Sequence, residues 1–509
     1  MGKVYLVGAG PGNAMLLTLR AKMLLEKADV VVYDRLVNRS ILSLAPHDAV
    51  FIDVGKEKGH HPIPQHRIHM RLIEASKRAD IVVRLKGGDP YLFGRGGEEA
   101  AALKREGIAF EVVPGVPSAF AVLNYAGIPA THRDCAANLQ IISAHRRQEI
   151  CDAIDYQRLA QASGTMIFFM GVSALPMICE ELIKAGLSSD TDAAIIENGT
   201  TALQRSVVGT LTTLPQKADE AKIQSPALIV VGNVVQFSEM LAWAKENPLH
   251  GTRVIVTRAQ SQASRLSQML LDKGAEVIEA SAIHIHMDAD QDAMKYIQQI
   301  NTYDYVAFTS ENGVEAFMEL LRKHRLDIRS LNMGKAAAIG KGTARALEKY
   351  ALYPDVMPDT YDAKALGQAI AKTLPKGGRV LALRARETSP DLQCTLREAG
   401  IIMDDVSIYR TEQTMSNVQW VREWMEQSPV YVMLGSASCA RSFARSLGKE
   451  ALSRVYAICI GEATHQEAER EGYPSRFVSK EASLESMVER LEEAVKEHRE
   501  KEENNGFRK

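Results

Sequence analysis

The sequence VYLVGAGPGN, residues 4–13, runs from an apolar stretch into a turn with three glycines and a proline. A strand followed by such a turn is where the dinucleotide fingerprint Gly-x-Gly-x-x-Gly would lie. Here Asn13 stands at the last position of that fingerprint, and Pro11 removes a backbone N–H that a pyrophosphate would use. The chain also has no Gly-Lys-Ser/Thr of a P-loop. The turn therefore predicts a ligand without phosphates rather than NAD or ATP.

Short β-rich runs alternate with helical stretches as far as about residue 235. The runs cover residues 4–7, 30–33, 81–85, 110–113, 139–142, 167–169, 193–196 and 228–231. This alternation predicts an α/β fold with largely parallel sheets, in which ligand loops follow the carboxyl ends of strands. Gly/Pro loops follow several runs, at residues 8–13, 86–99, 114–120 and 197–200. We expect these loops to form the ligand site.

The bulk composition excludes several classes of protein. With 61 Lys and Arg against 63 Asp and Glu, the chain offers no basic tail for nucleic acid. The start lacks the pattern of a signal peptide, and no apolar run reaches the roughly 18 residues of a membrane span, so a cytoplasmic protein is predicted, with neither nucleic acid nor membrane as partner. The six cysteines are scattered without Cys-x-x-Cys, which favours buried, reduced thiols.

A second half begins after the break KENPLHGT at 245–252 and contains an internal repeat. VIVTRAQS at 254 matches VLALRARE at 380, and TSENGVEAF at 309 matches GSASCARSF at 435, both at a spacing of 126 residues. AIGKGTARAL at 338 matches CIGEATHQEA at 459 at a spacing of 121. The repeat predicts two similar α/β lobes. Three regions are expected: 1–245, 250–495 and a charged tail, 496–509, predicted to be disordered.

The first half carries GAGPGNAMLLTLRA, VVYDRLV, VGK, VRLKGGDPYLFGRGGEE, VVPGVPSA and AGIPATHRD in that order. These motifs resemble the uroporphyrinogen-III C-methyltransferases of the tetrapyrrole methylase superfamily, and imply a two-lobed methylase fold. The resemblance implies that two methyl groups pass from S-adenosylmethionine to uroporphyrinogen III, giving precorrin-2 on the route to siroheme or cobalamin. It also implies a homodimer through this half. S-adenosylmethionine has no phosphate, which agrees with the opening turn.

The same resemblance implies roles for individual residues. Asp34 would accept a proton from the macrocycle and Lys56 would donate one; the alternative for Asp34 is a helix cap or an ion pair with Arg35. Pro117 stands where the family often has Thr, so a hydroxyl donor is missing there. The implied contacts to S-adenosylmethionine are Pro11, Gly87, Gly88, Asp89, Leu92, Pro117, Ser118, Met170, Gly199 and Ala227.

Uroporphyrinogen carries eight carboxylates, so its site needs cations. The candidates are Arg35, Arg84, Lys86, Arg95, His132 and Arg133, for which plain surface charge is the alternative. A competing hypothesis is a metal site in GHHPIPQHRIHM, with His60, His61, His66 and His69. Because no Cys or HExxH accompanies these histidines and methyl transfer requires no metal, we predict no metal site.

The tandem lobes, with VIVTRA, FTSENGVEAF, AIGKGTARAL, PDTYDAKAL, VLALRARE and VSIYRT, resemble uroporphyrinogen-III synthase over about residues 250–495. This implies closure of hydroxymethylbilane to uroporphyrinogen III without a cofactor. It implies one lobe of residues 251–283 plus 411–495 and another of 286–408. Tyr409 would act as the acid that assists loss of water, and Thr464 would contact substrate. Further candidate contacts are the hydroxyls of Thr309, Ser310, Thr343 and Ser436; for the threonines in Gly-x-x-Thr turns, a helix N-cap is the alternative.

The sequence therefore predicts a bifunctional enzyme that makes uroporphyrinogen III in its second half and methylates it in its first. One alternative is a methylase for another precorrin or for a substrate that is not a tetrapyrrole. The other is a second half that binds tetrapyrrole without catalysis.

Overall fold

The structure, a computed structural model, describes residues 2–46, 48–55, 63–144, 154–257, 260–280, 284–286, 292–386, 388–412, 418–426 and 428–506. The chain forms two compact units, residues 1–280 with 416–509, and residues 281–415. Within the first unit we distinguish lobe A (2–125), lobe B (139–237) and lobe C (249–280 with 418–506); the second unit is lobe D (284–412). Each lobe contains one five-stranded sheet. In these described ranges, no helix has the length and apolarity needed to cross a bilayer.

Lobe A is a parallel sheet in the order β3-β2-β4-β1-β5, with helices on both faces. Val31 and Leu85 pack against α1 and α2, whereas Val32 and Val82 pack against α3 and α4. The central strands β2 and β4 are thus buried on both faces, as expected for a parallel sheet. The elements are β1 (Lys3–Gly8), α1 (Leu19–Leu25), β2 (Val30–Tyr33), α2 (Arg39–Leu42), β3 (Val50–Asp53), α3 (Gln65–Ser76), β4 (Ile81–Lys86), α4 (Gly96–Arg105), β5 (Phe110–Val113) and α5 (Ser118–Tyr125).

Lobe B departs from the largely parallel arrangement predicted for the first half. Its sheet has the order β6-β7-β10-β8-β9, and of its pairings only β6 with β7 is parallel. The connection from β8 to β9 spans residues 198–204, which is too short for a parallel crossover. The elements are β6 (Leu139–Ser143), α6 (Tyr156–Gln161), β7 (Thr165–Phe169), α7 (Leu175–Lys184), β8 (Asp192–Glu197), β9 (Arg205–Thr210), α8 (Leu214–Glu220) and β10 (Ala227–Val231).

Lobes C and D alternate along the chain. Lobe C begins with β11 (Arg253–Val256), α9 (Gln260–Asp272) and β12 (Glu276–Glu279). Lobe D follows with β13 (His284–His286), α10 (Ala293–Gln298), β14 (Tyr305–Phe308), α11 (Glu311–Lys323), β15 (Lys335–Ala338), α12 (Lys341–Glu348), α13 (Ala363–Thr373), β16 (Arg379–Ala385), α14 (Asp391–Glu398) and β17 (Ile402–Glu412). Lobe C then resumes with α15 (Val418–Met425), β18 (Val430–Leu434), α16 (Ala437–Leu447), α17 (Lys449–Leu452), β19 (Val455–Cys459), α18 (Glu462–Arg470), β20 (Ser475–Val478) and α19 (Leu484–Gly506).

The internal repeat is divided between these two lobes. Four parallel strands have the same order in each, β12-β11-β18-β19 in lobe C and β17-β16-β14-β15 in lobe D. In the sequence, β11 corresponds to β16 and β14 corresponds to β18. Each repeat therefore gives its first two strands to one lobe and its last two to the other. The predicted pair of similar α/β lobes is confirmed, and each lobe needs both repeats.

The tail expected to be disordered from residue 496 is helical as far as Gly506, as the end of α19. Met487, Leu491 and Ala494 form a buried stripe on this helix. The Glu- and Lys-rich residues that follow have good helix propensity, so they extend the anchored helix. Arg499 also donates a hydrogen bond to the carbonyl oxygen of His250.

The prediction of buried thiols holds for three of the five cysteines that the structure describes. Cys179, Cys439 and Cys459 are buried, whereas Cys135 and Cys394 are half-buried, and all five are free. Cys151 lies outside the described residues.

The carboxyl ends of β1, β4 and β5 meet through backbone alone. A Cβ atom on Gly8 would lie 2.4 Å from the Gly115 nitrogen, and one on Gly115 would lie 2.2 Å from the Gly88 oxygen. Gly88 also has a φ of +66°, in the left-handed region that favours glycine. The close approach fixes the positions of the loops that follow these three strands.

We expect Gly115→Ala to destabilise the protein by about 1–3 kcal/mol, because the new methyl group pushes the Gly8 and Gly88 backbones apart. The measurement is the urea midpoint of the full chain by circular dichroism. Gly97→Ala in α4 is the control, since a Cβ there meets nothing within 4 Å; it should be neutral or stabilising by up to ~1 kcal/mol. Equal midpoints for the two variants would contradict the close backbone contact.

Candidate functional site

The loops after β1, β4 and β5 form one continuous surface at the carboxyl edge of the lobe A sheet. The Gly10 nitrogen donates to the Gly88 oxygen at 3.1 Å, and the Gly88 nitrogen donates to the Gly10 oxygen at 2.7 Å. Asp89 accepts hydrogen bonds from the Gly115 nitrogen at 3.1 Å and from the Tyr91 nitrogen at 2.8 Å. The opening turn is thus joined to the GGDP loop, and the GGDP loop to the loop before α5.

One edge of the lobe B sheet touches this surface. Met170 follows β7, Gly199 follows β8, and Ala227 begins β10, which is antiparallel to both strands. The Asn13 nitrogen donates to Thr200 Oγ1 at 3.3 Å. The structure therefore brings the predicted residues of both lobes to two edges in contact: Pro11, Gly87, Gly88, Asp89, Leu92, Pro117 and Ser118 in lobe A, and Met170, Gly199 and Ala227 in lobe B.

Strained backbone is concentrated along the same two edges. Phe93, Arg95, Met170, Asn198 and Thr200 have φ angles of 54°, 58°, 56°, 49° and 68°. Such angles are costly for residues other than glycine, above all for the β-branched Thr200. Phe93 also lies edge-on to Phe169, with ring centroids 5.3 Å apart. Strain held by contacts between the lobes is typical of a preorganised site.

Asp34 lies after β2 at this edge and is half-buried. One carboxylate oxygen accepts from the Leu36 nitrogen at 3.3 Å, and the other lies 3.6 Å from an Nη atom of Arg84. Neither alternative considered for Asp34 is found, because its ion-pair partner is Arg84 rather than Arg35 and the N-cap of α2 is Asn38.

Beneath Asp34 lies a buried cluster with two cations and one anion. Glu99 Oε1 accepts from Arg84 Nε at 3.3 Å and from Lys86 Nζ at 3.0 Å. Gln65 donates to the same oxygen at 3.2 Å, while Glu99 Oε2 is buried without a hydrogen-bond partner. Burial, followed by the nearby Arg84 charge, lowers the pKa of Lys86. The cluster places excess positive charge behind Asp34.

In lobe D, Tyr409 meets Ser310. The two hydroxyl oxygens are 2.8 Å apart, and Ser310 caps α11 by accepting from the Gly313 nitrogen at 3.0 Å. Burial raises the pKa of Tyr409, although the hydrogen bond with Ser310 acts in the opposite direction. Tyr409 therefore keeps its proton through neutral pH and can donate it.

The corresponding helix starts in lobes C and D have matching caps. Ser436 caps α16 as Ser310 caps α11. Gly340 and Gly461 are the N-cap residues of α12 and α18, so Thr343 and Thr464 lie inside the first turn and are buried. The N-cap alternative is thus wrong for both threonines, since glycine occupies that position.

The comparisons with known proteins match both halves. The model of the tetrapyrrole (corrin/porphyrin) methylases matches residues 3–215, and that of uroporphyrinogen-III synthase HemD matches residues 264–489. The porphyrin biosynthesis protein HemD of Ruminiclostridium josui is 40% identical over 493 residues, which is 96% of this chain and 97% of that protein. The chain belongs to the HemD family of porphyrin biosynthesis proteins. Both resemblances seen in the sequence are thereby confirmed.

Two further relatives match parts of this HemD family chain. The uroporphyrinogen-III C-methyltransferase of Bacillus subtilis is 38% identical over 72% of the chain and 75% of its own length. The siroheme synthase of Thiobacillus denitrificans is 50% identical over 242 residues, 48% of the chain, and the chain spans half of that protein. The methylase match falls on lobes A and B, here called the methylase half, and the synthase match falls on lobes C and D, called the synthase half.

Six cations of the methylase half were predicted to contact substrate carboxylates. Arg84 and Lys86 are only 2% and 3% exposed and pair with Glu99, so their charged groups are buried rather than open to a substrate carboxylate. Arg35, Arg95 and Arg133 are exposed, and Arg95 pairs with Glu98 at 2.7 Å. His132 is half-buried and stacks on Phe237 with centroids 4.5 Å apart. Substrate contact by these residues stays a prediction.

Several residues at the edge of the methylase half were not predicted from the sequence. Exposed apolar side chains at the same edge, suited to cover a flat ring system, are Leu36, Tyr91, Phe93 and Met170, of which only Met170 was predicted. Asn13 joins lobes A and B through Thr200, and within lobe A it donates to the Tyr125 hydroxyl at 3.0 Å. The sequence feature that could have pointed to Asn13 is its position in the opening turn, where a dinucleotide fingerprint would have glycine.

Lys56, His60 and His61 lie outside the described residues. His66 lies exposed on α3, and His69 is half-buried with a buried Nε2 that has no hydrogen-bond partner. Burial lowers the pKa of His69. Within the described ranges, no group of three or more His, Cys, Asp or Glu side chains is placed to hold a metal.

Proposed function

We propose that the synthase half closes hydroxymethylbilane to uroporphyrinogen III and that the methylase half then adds two methyl groups from S-adenosylmethionine, giving precorrin-2. One observation carries this proposal: the opening turn, which predicts a ligand without phosphates, meets the GGDP loop and the loop after β8. The methylase and synthase domains matched by the family models support it.

The residues at this edge suit S-adenosylmethionine rather than a nucleotide phosphate. Pro11, Gly87, Gly88 and Gly199 lie at this edge, and a Cβ on the neighbouring Gly8 or Gly115 would collide with the backbone on which the loops are built. Asp89 holds the loops together by accepting two backbone N–H groups. When bound, S-adenosylmethionine supplies an electrophilic methyl group on a sulfonium. Aligning that methyl with a pyrrole carbon accounts for most of the catalysis, up to roughly 7–11 kcal/mol.

After methyl transfer the macrocycle must lose a proton, and we assign this step to Asp34. Its carboxylate lies at the edge where the loops converge, 3.6 Å from an Nη atom of Arg84, and a carboxylate can accept the proton. Lys56 stays the proposed proton donor. Arg35, Arg95, His132 and Arg133 would bind substrate carboxylates, with the apolar Leu36, Tyr91, Phe93 and Met170 covering the ring. A homodimer through the methylase half is part of the same proposal.

In the synthase half, Tyr409 would protonate the departing hydroxyl of hydroxymethylbilane, which leaves as water. The C–O bond breaks and a resonance-stabilised azafulvene cation remains. The substituted α-carbon of the terminal pyrrole ring attacks this cation to form a spiro intermediate, whose rearrangement inverts that ring, and loss of a proton to the Tyr409 phenolate then completes the macrocycle. Ser310 orients the Tyr409 hydroxyl through their hydrogen bond. Thr309, Thr343, Ser436 and Thr464 lie at helix starts, where backbone N–H groups also suit substrate carboxylates.

The direct test gives the purified chain hydroxymethylbilane with and without S-adenosylmethionine and identifies the products by mass spectrometry and isomer analysis. We expect uroporphyrinogen III alone without the methyl donor, and a product heavier by two methyl groups with it. Formation of isomer I alone would mean that the second half only binds tetrapyrrole. Unmethylated isomer III in the presence of the donor would refute the methylase assignment.

Asp34→Asn should lower the methylation rate by about 10²–10⁴-fold, because the amide cannot accept the proton. Binding of S-adenosylmethionine, measured by calorimetry, should stay unchanged. Asp29→Asn is the matched control: Asp29 precedes the same strand β2 at its other end and accepts only backbone hydrogen bonds, from Asp80 at 3.0 Å and Ile81 at 2.8 Å, among the contacts described. If Asp34→Asn methylates at the wild-type rate, the assigned role is wrong.

Tyr409→Phe should slow ring closure by about 10²–10⁴-fold. Because burial raises the pKa of Tyr409 above its usual value of 10, the acid form persists as pH rises, and the wild-type rate should show no alkaline loss below about pH 9. Tyr305→Phe is the control, since Tyr305 is equally buried and bonded to a hydroxyl, that of Thr373 at 3.0 Å. Equal rates for the two variants would exclude Tyr409 as the acid.

A further inference from the structure

Lobe C shares a hydrophobic core with lobe A. Trp420, on α15, is 8% exposed and belongs to the cluster formed by β1, β2, α1 and α2. Its ring lies edge-on to Phe51, with centroids 4.5 Å apart, and to Tyr33 at 6.3 Å. Tyr33 is the last residue of β2 and directly precedes Asp34. Lobe C is therefore packed against the strand end that carries the proposed proton acceptor.

One carboxylate of lobe C reaches both lobes of the methylase half. Glu276, the first residue of β12, accepts from Asn38 Nδ2 in lobe A at 2.6 Å through Oε1. Its Oε2 accepts from the Ala202 nitrogen in lobe B at 2.9 Å. Trp424 of lobe C itself donates to Oε1 at 3.4 Å. Glu276 thus connects two segments that belong to different lobes of the methylase half.

Both segments are close in sequence to the proposed site. Asn38 is four residues after Asp34 and is the N-cap of α2, where its Oδ1 accepts from the Ser40 nitrogen at 3.0 Å. Its amide nitrogen is then left to donate to Glu276. Ala202 lies in the 198–204 connection with Gly199 and with Thr200, the partner of Asn13. A carboxylate bonded to both segments therefore restrains the loop after β2 and the loop after β8 together.

Apolar packing between lobes A and C does not fill the space beside this connection. Glu276 lines a cavity of about 180 Å³ together with Asn13, Thr200 and Trp243, so a space separates β12 from the inner loops. Across that space the two hydrogen bonds of Glu276 to the methylase half are charge-assisted, which makes them stronger than neutral ones. The Glu276 carboxylate thus adds polar contacts to both edges, besides the apolar packing of Trp420 against lobe A.

From these contacts we infer that Glu276 is a positioning residue for methyl transfer: the synthase half holds the two edges of the methylase site in register through its carboxylate. The inference rests on the proposed methyltransferase function of that site. Glu276 acts on the loops and not on the reacting atoms. Its loss should weaken binding of the methyl donor, because the loops must then be ordered by the ligand, while the bound complex reacts at a similar rate.

The experiment compares Glu276→Gln with Glu279→Gln in the full chain. Glu279 ends the same strand, and its described hydrogen bond stays inside lobe C, from Ser267 Oγ at 2.6 Å. We expect Glu276→Gln to raise the KM for S-adenosylmethionine roughly three- to tenfold, the equivalent of about one lost hydrogen bond. The kcat of methylation and the rate of ring closure should stay within about twofold. Glu279→Gln should change neither KM nor kcat.

Glu276→Ala provides a second, larger change in case the glutamine amide still bridges the loops. A wild-type KM in both Glu276 variants would overturn the inference while leaving the proposed function intact. Loss of methylation and ring closure together, with a lower melting temperature, would also overturn it, because Glu276 would then support the fold in general. Absence of methylation in the wild-type chain would instead refute the proposed function.

Discussion

Close backbone contact between the ends of three parallel strands is the constraint on which the methylase half depends. Gly8, Gly88 and Gly115 approach so closely that no side chain fits between them. Since the loops after β1, β4 and β5 are built on these residues, their position is set by the sheet itself. The ligand loops can therefore present backbone groups at fixed points, as recognition of a ligand without phosphates requires. The hydrogen bonds of Asp89 and Asn13 then secure an arrangement that the glycines make possible.

The charges behind Asp34 form a buried network at the edge of the proposed site. Glu99 is shared by Arg84 and Lys86, so one positive charge is left without a buried counterpart and Arg84 faces Asp34. In the proposed mechanism Asp34 is the base that this cluster faces, and the exposed Arg35 and Arg133 are among the cations proposed to bind substrate carboxylates.

Much of this arrangement could be predicted from the sequence. The eight strands proposed for the first half are all present, because each is a short, continuous apolar run. The strands that were missed, β3 and β9, are sheet edges with exposed residues. The antiparallel pairing in lobe B depends on connection lengths that composition does not reveal. Burial of Arg84 and Lys86 could not be predicted because their partner, Glu99, comes from the next helix. The contact of Glu276 with Asn38 and Ala202 joins residues far apart in the chain, and no local pattern marks it.

The division of each sequence repeat between lobes C and D has a consequence for synthesis of the chain on the ribosome. When β11 and β12 emerge, the three strands that complete their sheet have not yet been made, and all of lobe D must be translated first. Two strands alone are marginal in water. The lobe C sheet that carries Glu276 can therefore be completed only when its last strands have been translated. Because N-terminal domains fold first during synthesis, we expect the methylase lobes to fold before Glu276 is in place to form hydrogen bonds with them.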